Sequence, residues 1–185
     1  MGVLRRRTRR AAVIVGVWAC VLAAALPATA QGPSREPEIK AAFLYNFIKF
    51  VDWPAESLPE TSDTITVCVL STDPFGEALE TLRGKTVKGR RLGIRKIEAG
   101  VAMDGCHVAF MGSSEERRLP QVMQSVQGSS VLTVGETNKF LAAGGVINFV
   151  IERNKVRFEV NLNSAERARL KLSSQLLSLA TVVRQ

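Results

Sequence analysis

The sequence predicts an α/β fold of three layers, in which a mostly parallel sheet carries helices on both faces and an antiparallel hairpin at one edge. Three features indicate it. Apolar segments of strand length alternate with segments of helical periodicity. Turn residues separate these segments, and two apolar runs near the C-terminus are joined directly by Arg153-Asn154. Alternating strands and helices form parallel sheets that are covered on both sides.

The first predicted element is an amphipathic helix, Pro37–Val51. Its apolar residues recur at helical spacing, at Ile39, Phe43 and Phe47, and the Trp53-Pro54 pair ends it. Further apolar residues widen this face beyond a stripe. We therefore expect the helix to pack against more than one neighbour.

A strand, a helix and a second strand follow. Thr64–Leu70 is a predicted buried strand, and Pro74–Leu82 is a predicted helix with proline at its favoured first position and Thr72 or Asp73 as its N-cap. Arg91–Ile97 alternates only weakly between apolar and polar residues. It is therefore predicted to be an outer strand.

The next elements repeat this order. Cys106–Met111 is predicted to be a buried strand beside Thr64–Leu70, and the polar residues after it open a helix in which Ser113 and Glu116 are spaced as a capping box. Val131–Val134 is a fourth short strand.

The C-terminal part contains a short helix, a hairpin and a last helix. The short helix is Glu136–Ala142, and the hairpin pairs Val146–Glu152 with Val156–Val160. Asn163 and Glu166 can form a capping box for the last helix, which is predicted to continue to the C-terminus. Its apolar positions follow helical spacing: Leu172, Leu176, Leu179, Ala180 and Val183.

Residues 1–30 have the pattern of a secretory signal peptide. An arginine-rich head precedes the apolar segment Ala11–Leu26, and Ala28-Thr29-Ala30 is a small-x-small cleavage site. A permanent membrane anchor is the less favoured alternative, because the apolar segment is short for a bilayer and ends at Pro27. We expect a mature chain that begins near Gln31, forms one domain over residues 31–185, lies in the periplasm and keeps no stable membrane anchor.

The charge of the mature chain gives no support for nucleic-acid binding. The full chain has a net charge of +8, but removal of five arginines leaves 20 basic against 17 acidic residues. The densest basic stretch, Lys85–Lys96, contains no aromatic residue that could stack on a base. We therefore expect this stretch to be an ordinary solvated surface.

Polar residues follow several predicted strands at the edge where open α/β sheets bind ligands. Helix N-termini there would offer unpaired N–H groups. The alternative is that these residues serve only as helix caps. The candidate crevice residues are Thr72, Asp73, Ser113, Ser114, Glu136 and Thr137.

The sequence gives little support for catalysis. The STDPFGEAL turn has one glycine and lacks both the dinucleotide fingerprint and the P-loop lysine motif. The single histidine, His107, is next to Cys106 in a predicted strand, where neighbouring side chains point to opposite faces. One histidine and two mature cysteines also fall short of a four-ligand zinc site. We therefore expect neither an enzyme nor a cofactor or metal site.

The two mature cysteines, Cys68 and Cys106, are each other's only intramolecular disulfide partners in an oxidising compartment. They lie in strands predicted to be neighbours, whose spacing of about 4.8 Å permits a bridge if the register matches. The disulfide is the favoured interpretation. Two separate buried thiols are the alternative.

Four segments resemble the YfiR-like family of periplasmic regulators: AAFLYNFIKFVDWP, ITVCVLSTDPFG, CHVAFM and GGVINFVIERNKVRFEVNLNSAERARLKLSSQLLSLA. The resemblance implies an exported, non-enzymatic α/β domain that binds and inhibits the periplasmic domain of an inner-membrane diguanylate cyclase, and so represses cyclic di-GMP signalling and biofilm formation. It also assigns Cys68 and Cys106 to one cysteine pair of the family pattern. A second pair, found in some members, has no counterpart here.

The resemblance and the residue types together suggest where a partner would bind. Arg157, Phe158, Glu159, Tyr45 and Trp53 include the residue types that anchor interfaces, and the hairpin segment 157–159 is the favoured candidate. A homodimer is left open. The alternative function is a periplasmic small-ligand-binding module that uses the strand-end crevice and serves another membrane sensor.

Overall fold

The computed structural model describes residues 35–70, 75–98 and 103–184. The predicted signal peptide and its cleavage site lie outside these residues, as do Thr72, Asp73 and Pro74. Within the described ranges, no helix combines the length and apolarity needed to cross a bilayer.

Five α-helices and ten strands are formed by the described residues. The helices are α1 (Glu36–Phe50), α2 (Glu77–Glu80), α3 (Leu119–Ser125), α4 (Leu162–Arg167) and α5 (Ser174–Leu177). The strands are β1 (Val51–Asp52), β2 (Thr64–Leu70), β3 (Thr86–Val87), β4 (Arg90–Lys96), β5 (Val108–Met111), β6 (Leu132–Gly135), β7 (Ile147–Glu152), β8 (Lys155–Asn161), β9 (Lys171–Leu172) and β10 (Val182–Arg184). A 3₁₀-helix, Ser113–Arg118, precedes α3.

The main sheet has eight strands in the order β10-β8-β7-β6-β5-β2-β4-β3. Five of its seven pairings are parallel, and the β3–β4 and β7–β8 pairings are antiparallel. The predicted fold class and the pairing of β5 beside β2 are confirmed. Two details differ, because β3 adds outside β4, and β10 adds outside the predicted edge hairpin.

Alternate side chains of the central strands enter two different cores, as expected for a sheet buried on both faces. Val67 and Phe110 belong to the larger core, together with α1, α2 and α5. Cys68 and Met111 belong to the smaller core on the opposite face, against α3. The predicted layers on both faces are therefore present.

The hairpin β7–β8 turns through Arg153 and Asn154, as predicted. Both residues have positive φ, 48° and 62°, the geometry of the two-residue turn that fits the right-handed twist of paired strands. Phe149 pairs directly with Phe158, so both rings face the larger core. The strand boundaries of β2 match the prediction at both ends.

The predicted helix Glu136–Ala142 is wrong. This segment forms consecutive turns, with the Phe140 N–H donating to the Thr137 carbonyl at 3.1 Å and the Gly145 N–H donating to the Phe140 carbonyl at 2.9 Å. The buried Phe140 ring occupies space that two glycines leave open. A Cβ at Gly135 or Gly145 would lie 2.3 or 2.1 Å from ring atoms, so the chain bends tightly around this ring instead of continuing as a helix.

The predicted continuous last helix is also wrong. α4 ends where Arg169 adopts a left-handed φ of 57° and the Leu170 N–H donates to the Ala165 carbonyl. Buried Leu170 then turns the chain into β9, which pairs with β1. α5 and β10 follow as separate elements.

Both predicted capping boxes are wrong as well. The 3₁₀-helix begins after Gly112 without a side-chain cap, and Glu116 instead forms an ion pair with Lys139 at 3.0 Å. The N-cap of α4 is Asn161, whose side-chain oxygen accepts the Ser164 N–H at 3.0 Å.

Candidate functional site

The carboxyl ends of β2, β5 and β6 lie side by side, and the predicted crevice residues that the structure describes follow two of them. Ser113 and Glu136 are brought into contact, because the Ser113 backbone N–H donates to Glu136 Oε1 at 2.9 Å. Ser114 is exposed. Thr137 is buried, and its hydroxyl has no hydrogen-bond partner among the described residues.

A buried lysine that the sequence analysis missed occupies the centre of this edge. Lys40 of α1 donates to Glu136 Oε2 at 2.7 Å and contacts Glu36 Oε1 at 2.5 Å. Burial acts to lower the pKa of the Lys40 ammonium, but the hydrogen bonds to Glu136 and Glu36 outweigh it and hold that pKa above its usual value. The ion pairs therefore tie α1 to the segment after β6.

A cavity of about 370 Å³ remains beside this cluster. Lys40, Ser113 and Glu136 line its polar side, and Phe149 and Ile151 lie on its apolar side. The groups that could recognise a ligand already bind one another. Fewer polar groups of the strand-end crevice are therefore free to bind a ligand than the sequence suggested.

The hairpin segment proposed for partner binding is divided between the two faces of β8. Phe158 is only 1% exposed, and its ring lies 4.9 Å from the Phe47 ring and 5.5 Å from the Phe43 ring, between centroids. It is therefore a core residue. The prediction that its side chain anchors a partner needs correction, because contact with a partner would require removing the ring from the core.

Arg157 and Glu159 lie on the opposite, outer face of β8. Arg157 is exposed, and among residues 35–70, 75–98 and 103–184 it has no ion-pair partner. Glu159 is half-buried and lies 3.8 Å from Arg184 of β10, measured from Oε2 to Nη2. These two side chains are available to a partner without any change in the core.

Tyr45 and Trp53 are both half-buried, at separate places. The Tyr45 hydroxyl lies 3.5 Å from the Thr86 carbonyl, and its ring lies 5.8 Å from the Lys85 ammonium. Trp53 donates its indole N–H to the His107 carbonyl at 3.2 Å. Tyr45 contacts β3, at the far edge of the sheet from the hairpin, and Trp53 contacts the residue before β5, so the five predicted partner residues do not form one patch.

Cys68 and Cys106 form a disulfide, with Cα atoms 5.8 Å apart. Cys106 precedes β5 in a turn, where its N–H donates to the Met103 carbonyl, and so it approaches the face of the sheet on which Cys68 lies. Arg95 donates to the Asp104 carbonyl and to Cys106 Sγ, at 2.6 and 3.0 Å. The disulfide closes the β2-to-β5 segment on the smaller core.

His107 lies directly before β5 and forms hydrogen bonds with Thr66 of β2. Its Nδ1 accepts the Thr66 N–H at 3.0 Å, and its own backbone N–H donates to the Thr66 carbonyl at 2.9 Å. Burial lowers the pKa of His107 below its usual 6.5, and the nearby Arg90 charge adds to this, while a hydrogen bond with the Ser57 backbone opposes it. The imidazole therefore favours the neutral form, in which Nδ1 can accept.

No group of three histidine, cysteine, aspartate or glutamate side chains in the described ranges has an arrangement that could hold a metal ion. The polar side chains found together at the strand ends form ion pairs with one another. These contacts suit a structural role, because they hold α1 and the start of the 3₁₀-helix against the segment after β6.

Comparison with known protein families matches residues 37–181 to the family described as YfiR/HmsC-like. The chain belongs to the YfiR/HmsC-like family. The resemblance noted in the sequence is confirmed, and membership supports a role as a periplasmic regulator.

The fold of this YfiR/HmsC-like chain is shared, at low identity, by a solved structure. A conserved domain protein from Vibrio cholerae is similar with a TM-score of 0.53 and 11% identity, covering 80% of this chain and 60% of that chain. The ABC domain in complex with L-Trp from Streptococcus pneumonia has a TM-score of 0.45 and 12% identity, covering 70% of this chain and 57% of that chain. The chain thus spans about three fifths of the length of these structures.

In this YfiR/HmsC-like domain, the burial of Phe158 and the need of Lys40 for an ionic partner could have been recognised from the sequence. The role of Arg95 could not. The period of two in a strand places Phe158 opposite Arg157 and Glu159, which predicts its burial. Lys40 stands between the apolar positions of α1 and needs a partner, but its partner is 96 residues away. The contact of Arg95 with the disulfide has no sequence signal.

Replacing Cys68 and Cys106 together by alanine should lower the free energy of unfolding, because the disulfide closes a loop with a sequence separation of 38. The chain-entropy model sets the loss at about 4 kcal/mol at most, which corresponds to a fall of several degrees in Tm. Urea unfolding of the mature oxidised protein and of the variant measures it. Two free thiols in denatured, unreduced protein would show that the bridge is absent.

Acidification should weaken the fold through His107, the only histidine of the chain. Because its pKa is lower in the folded than in the unfolded protein, its contribution is complete above about pH 6.5 and is lost as the pH falls toward the folded value. His107→Asn keeps an acceptor near the Thr66 N–H but does not titrate. Unfolding free energies measured between pH 7 and about pH 5 should therefore fall less in this variant, and equal slopes would contradict the assignment.

Proposed function

We propose that this protein is an exported, non-enzymatic regulator that binds the periplasmic domain of an inner-membrane diguanylate cyclase and inhibits it, thereby lowering cyclic di-GMP and biofilm formation. The observation that carries the proposal is the family match over residues 37–181. Family membership supports the periplasmic regulator role. The cyclase as partner is our inference from that role.

The outer face of β8 is the surface that we propose for the partner. Arg157 is exposed and without an ionic partner in the described part of the chain, and Val150 lies directly opposite it on β7. Glu159 is on the same face. Arginine at the centre of an interface can form paired hydrogen bonds with a carboxylate, which suits an acidic partner surface.

The core and the proposed surface are separable in this strand. Val156, Phe158 and Val160 point into the larger core, whereas Arg157 and Glu159 point away from it. Substitutions on the outer face should therefore change partner binding with little change in stability.

A small-ligand-binding module remains a second proposal, supported by the cavity of about 370 Å³ at the strand ends. In that case Lys40 and Glu136 would have to exchange their mutual ion pair for contacts with the ligand. Calorimetric titration with nucleotides and amino acids separates the two proposals, because only the module should bind one of them.

Deleting the gene in a strain that contains the cyclase should raise cyclic di-GMP, and the wild-type gene should restore the low level. Arg157→Glu should fail to restore it, because the substitution reverses the charge on the proposed surface. Arg91→Glu is the matched control, since Arg91 is also an exposed strand arginine but lies on β4, five strands away in the sheet. Cyclic di-GMP quantified by mass spectrometry checks this.

Thermal unfolding of both variants shows whether they fold equally well. Unchanged cyclic di-GMP after deletion, with the cyclase present, would refute the inhibitory role. If both variants restored the low level equally, the outer face of β8 would be the wrong surface.

A further inference from the structure

A cavity of about 420 Å³ lies between α3, β6 and α4, and it shares no lining residue with the strand-end crevice. The turns that follow α3 and precede β7 complete its lining. Gly128 and Gly144 contribute backbone there, and a Cβ at either position would meet no heavy atom within 4 Å. The cavity is therefore open beside the backbone of both turns.

Apolar side chains form a large part of the lining of this cavity. Two of them, Met123 and Val126, also pack against the smaller core, so their positions are held from behind. A ligand with an apolar body would bury that body against these side chains, as in most small-molecule sites. The apolar lining residues are Met123, Val126, Val131, Ala143, Val146 and Ala168.

Two buried hydroxyl groups line the same cavity. Thr133 and Ser164 are 4% and 3% exposed. Thr133 Oγ1 accepts the Val146 N–H at 3.0 Å, and Ser164 Oγ accepts a hydrogen bond from Arg167 Nη2 at 2.8 Å. Neither hydroxyl donates to an acceptor within the described ranges. Since a hydroxyl can both accept and donate, an acceptor inside the cavity would complete the hydrogen bonding of each group.

Arg167 brings a positive charge to the cavity. It is the one charged side chain among the described lining residues, and it forms no ion pair within residues 35–70, 75–98 and 103–184. A guanidinium has five N–H donors, and the contact with Ser164 uses one of them. The cavity therefore offers hydrogen-bond donors and one unpaired cation to a ligand.

We propose that this cavity binds a small monocarboxylate with an apolar body. The carboxylate accepts hydrogen bonds from Arg167 and from the Ser164 hydroxyl, which already lie in contact. An ionised carboxylate has acceptors only, and its two oxygens match the donors of a guanidinium. Thr133 offers a further donor. The apolar body lies against the side chains that line the rest of the cavity.

The lining also determines which charged ligands do not fit. No aspartate or glutamate is among the described residues of the lining, so the ammonium group of an amino acid would have no anionic partner there. Removing an ammonium from water without such a partner is costly. A phosphate dianion would likewise face a single cation. The cavity therefore favours a simple carboxylate over an amino acid or a nucleotide.

Calorimetric titration of the mature protein with sodium phenylacetate tests the proposal, with phenylacetamide and phenylalanine as the matched ligands. Phenylacetate should bind saturably, and the neutral amide and the amino acid should bind at least tenfold more weakly, because losing a charge-assisted hydrogen bond costs about tenfold or more. Absence of binding by phenylacetate, or equal affinities for the three compounds, would overturn it.

Two substitutions locate the bound carboxylate. Arg167→Gln should weaken phenylacetate binding about tenfold or more, because it removes the cation. Arg117→Gln is the control, since Arg117 is also exposed and has no ion pair in the described part of the chain, but lies outside the cavity. Its affinity should equal that of the wild type. Equal affinities of the two variants would contradict the role of Arg167.

Filling the cavity tests its position without touching a polar group. Ala143 is exposed and lines the cavity, so Ala143→Trp should block phenylacetate binding at unchanged Tm. Ala142→Trp is the control, because Ala142 is the exposed neighbour that does not line the cavity. It should bind as the wild type does. Undiminished binding by Ala143→Trp would show that the ligand lies elsewhere.

Discussion

The packing of the α1 phenylalanines against the hairpin determines the arrangement of the rest of the domain. The ring centroids of Phe47 and Phe158 are 4.9 Å apart, and those of Phe47 and Phe149 are 5.5 Å apart. Such aromatic pairs each stabilise a fold by about 0.5–1.5 kcal/mol beyond the apolar area that they bury. They also fix which face of β8 is inside, so that Arg157 and Glu159 face outward.

Three polar or covalent links add to this apolar packing. The ion pairs of Lys40 connect the start of α1 to the segment after β6, and the disulfide connects β2 to the turn before β5. His107 connects the start of β5 to β2 through the Thr66 N–H. The disulfide restrains the unfolded chain as well as the folded one, whereas the two noncovalent links join their distant segments only in the folded state.

The elements that depend on local pattern were predictable from the sequence, and those that depend on distant contacts were not. Alternation and apolar content defined β2 at both ends, and the sequence also located the hairpin turn at Arg153-Asn154. The segment around Phe140 has helical spacing, yet the ring's position between two glycines forces turns. The left-handed conformation of Arg169, which divides the predicted last helix, has no residue signal because it is not a glycine. The burial of Phe158 was predictable, since the period of two along a strand already separates it from Arg157 and Glu159.

The central claim is that the inner face of β8 holds the fold together while its outer face binds a regulatory partner. Calorimetric titration of the mature protein into the purified periplasmic domain of the diguanylate cyclase tests this claim most directly, with Arg157→Glu measured beside the wild type. The account predicts a saturable complex for the wild type and an affinity reduced at least tenfold, or about 1.4 kcal/mol, for Arg157→Glu at unchanged Tm. No heat of binding with the wild type, or equal affinities for the two proteins, would contradict it.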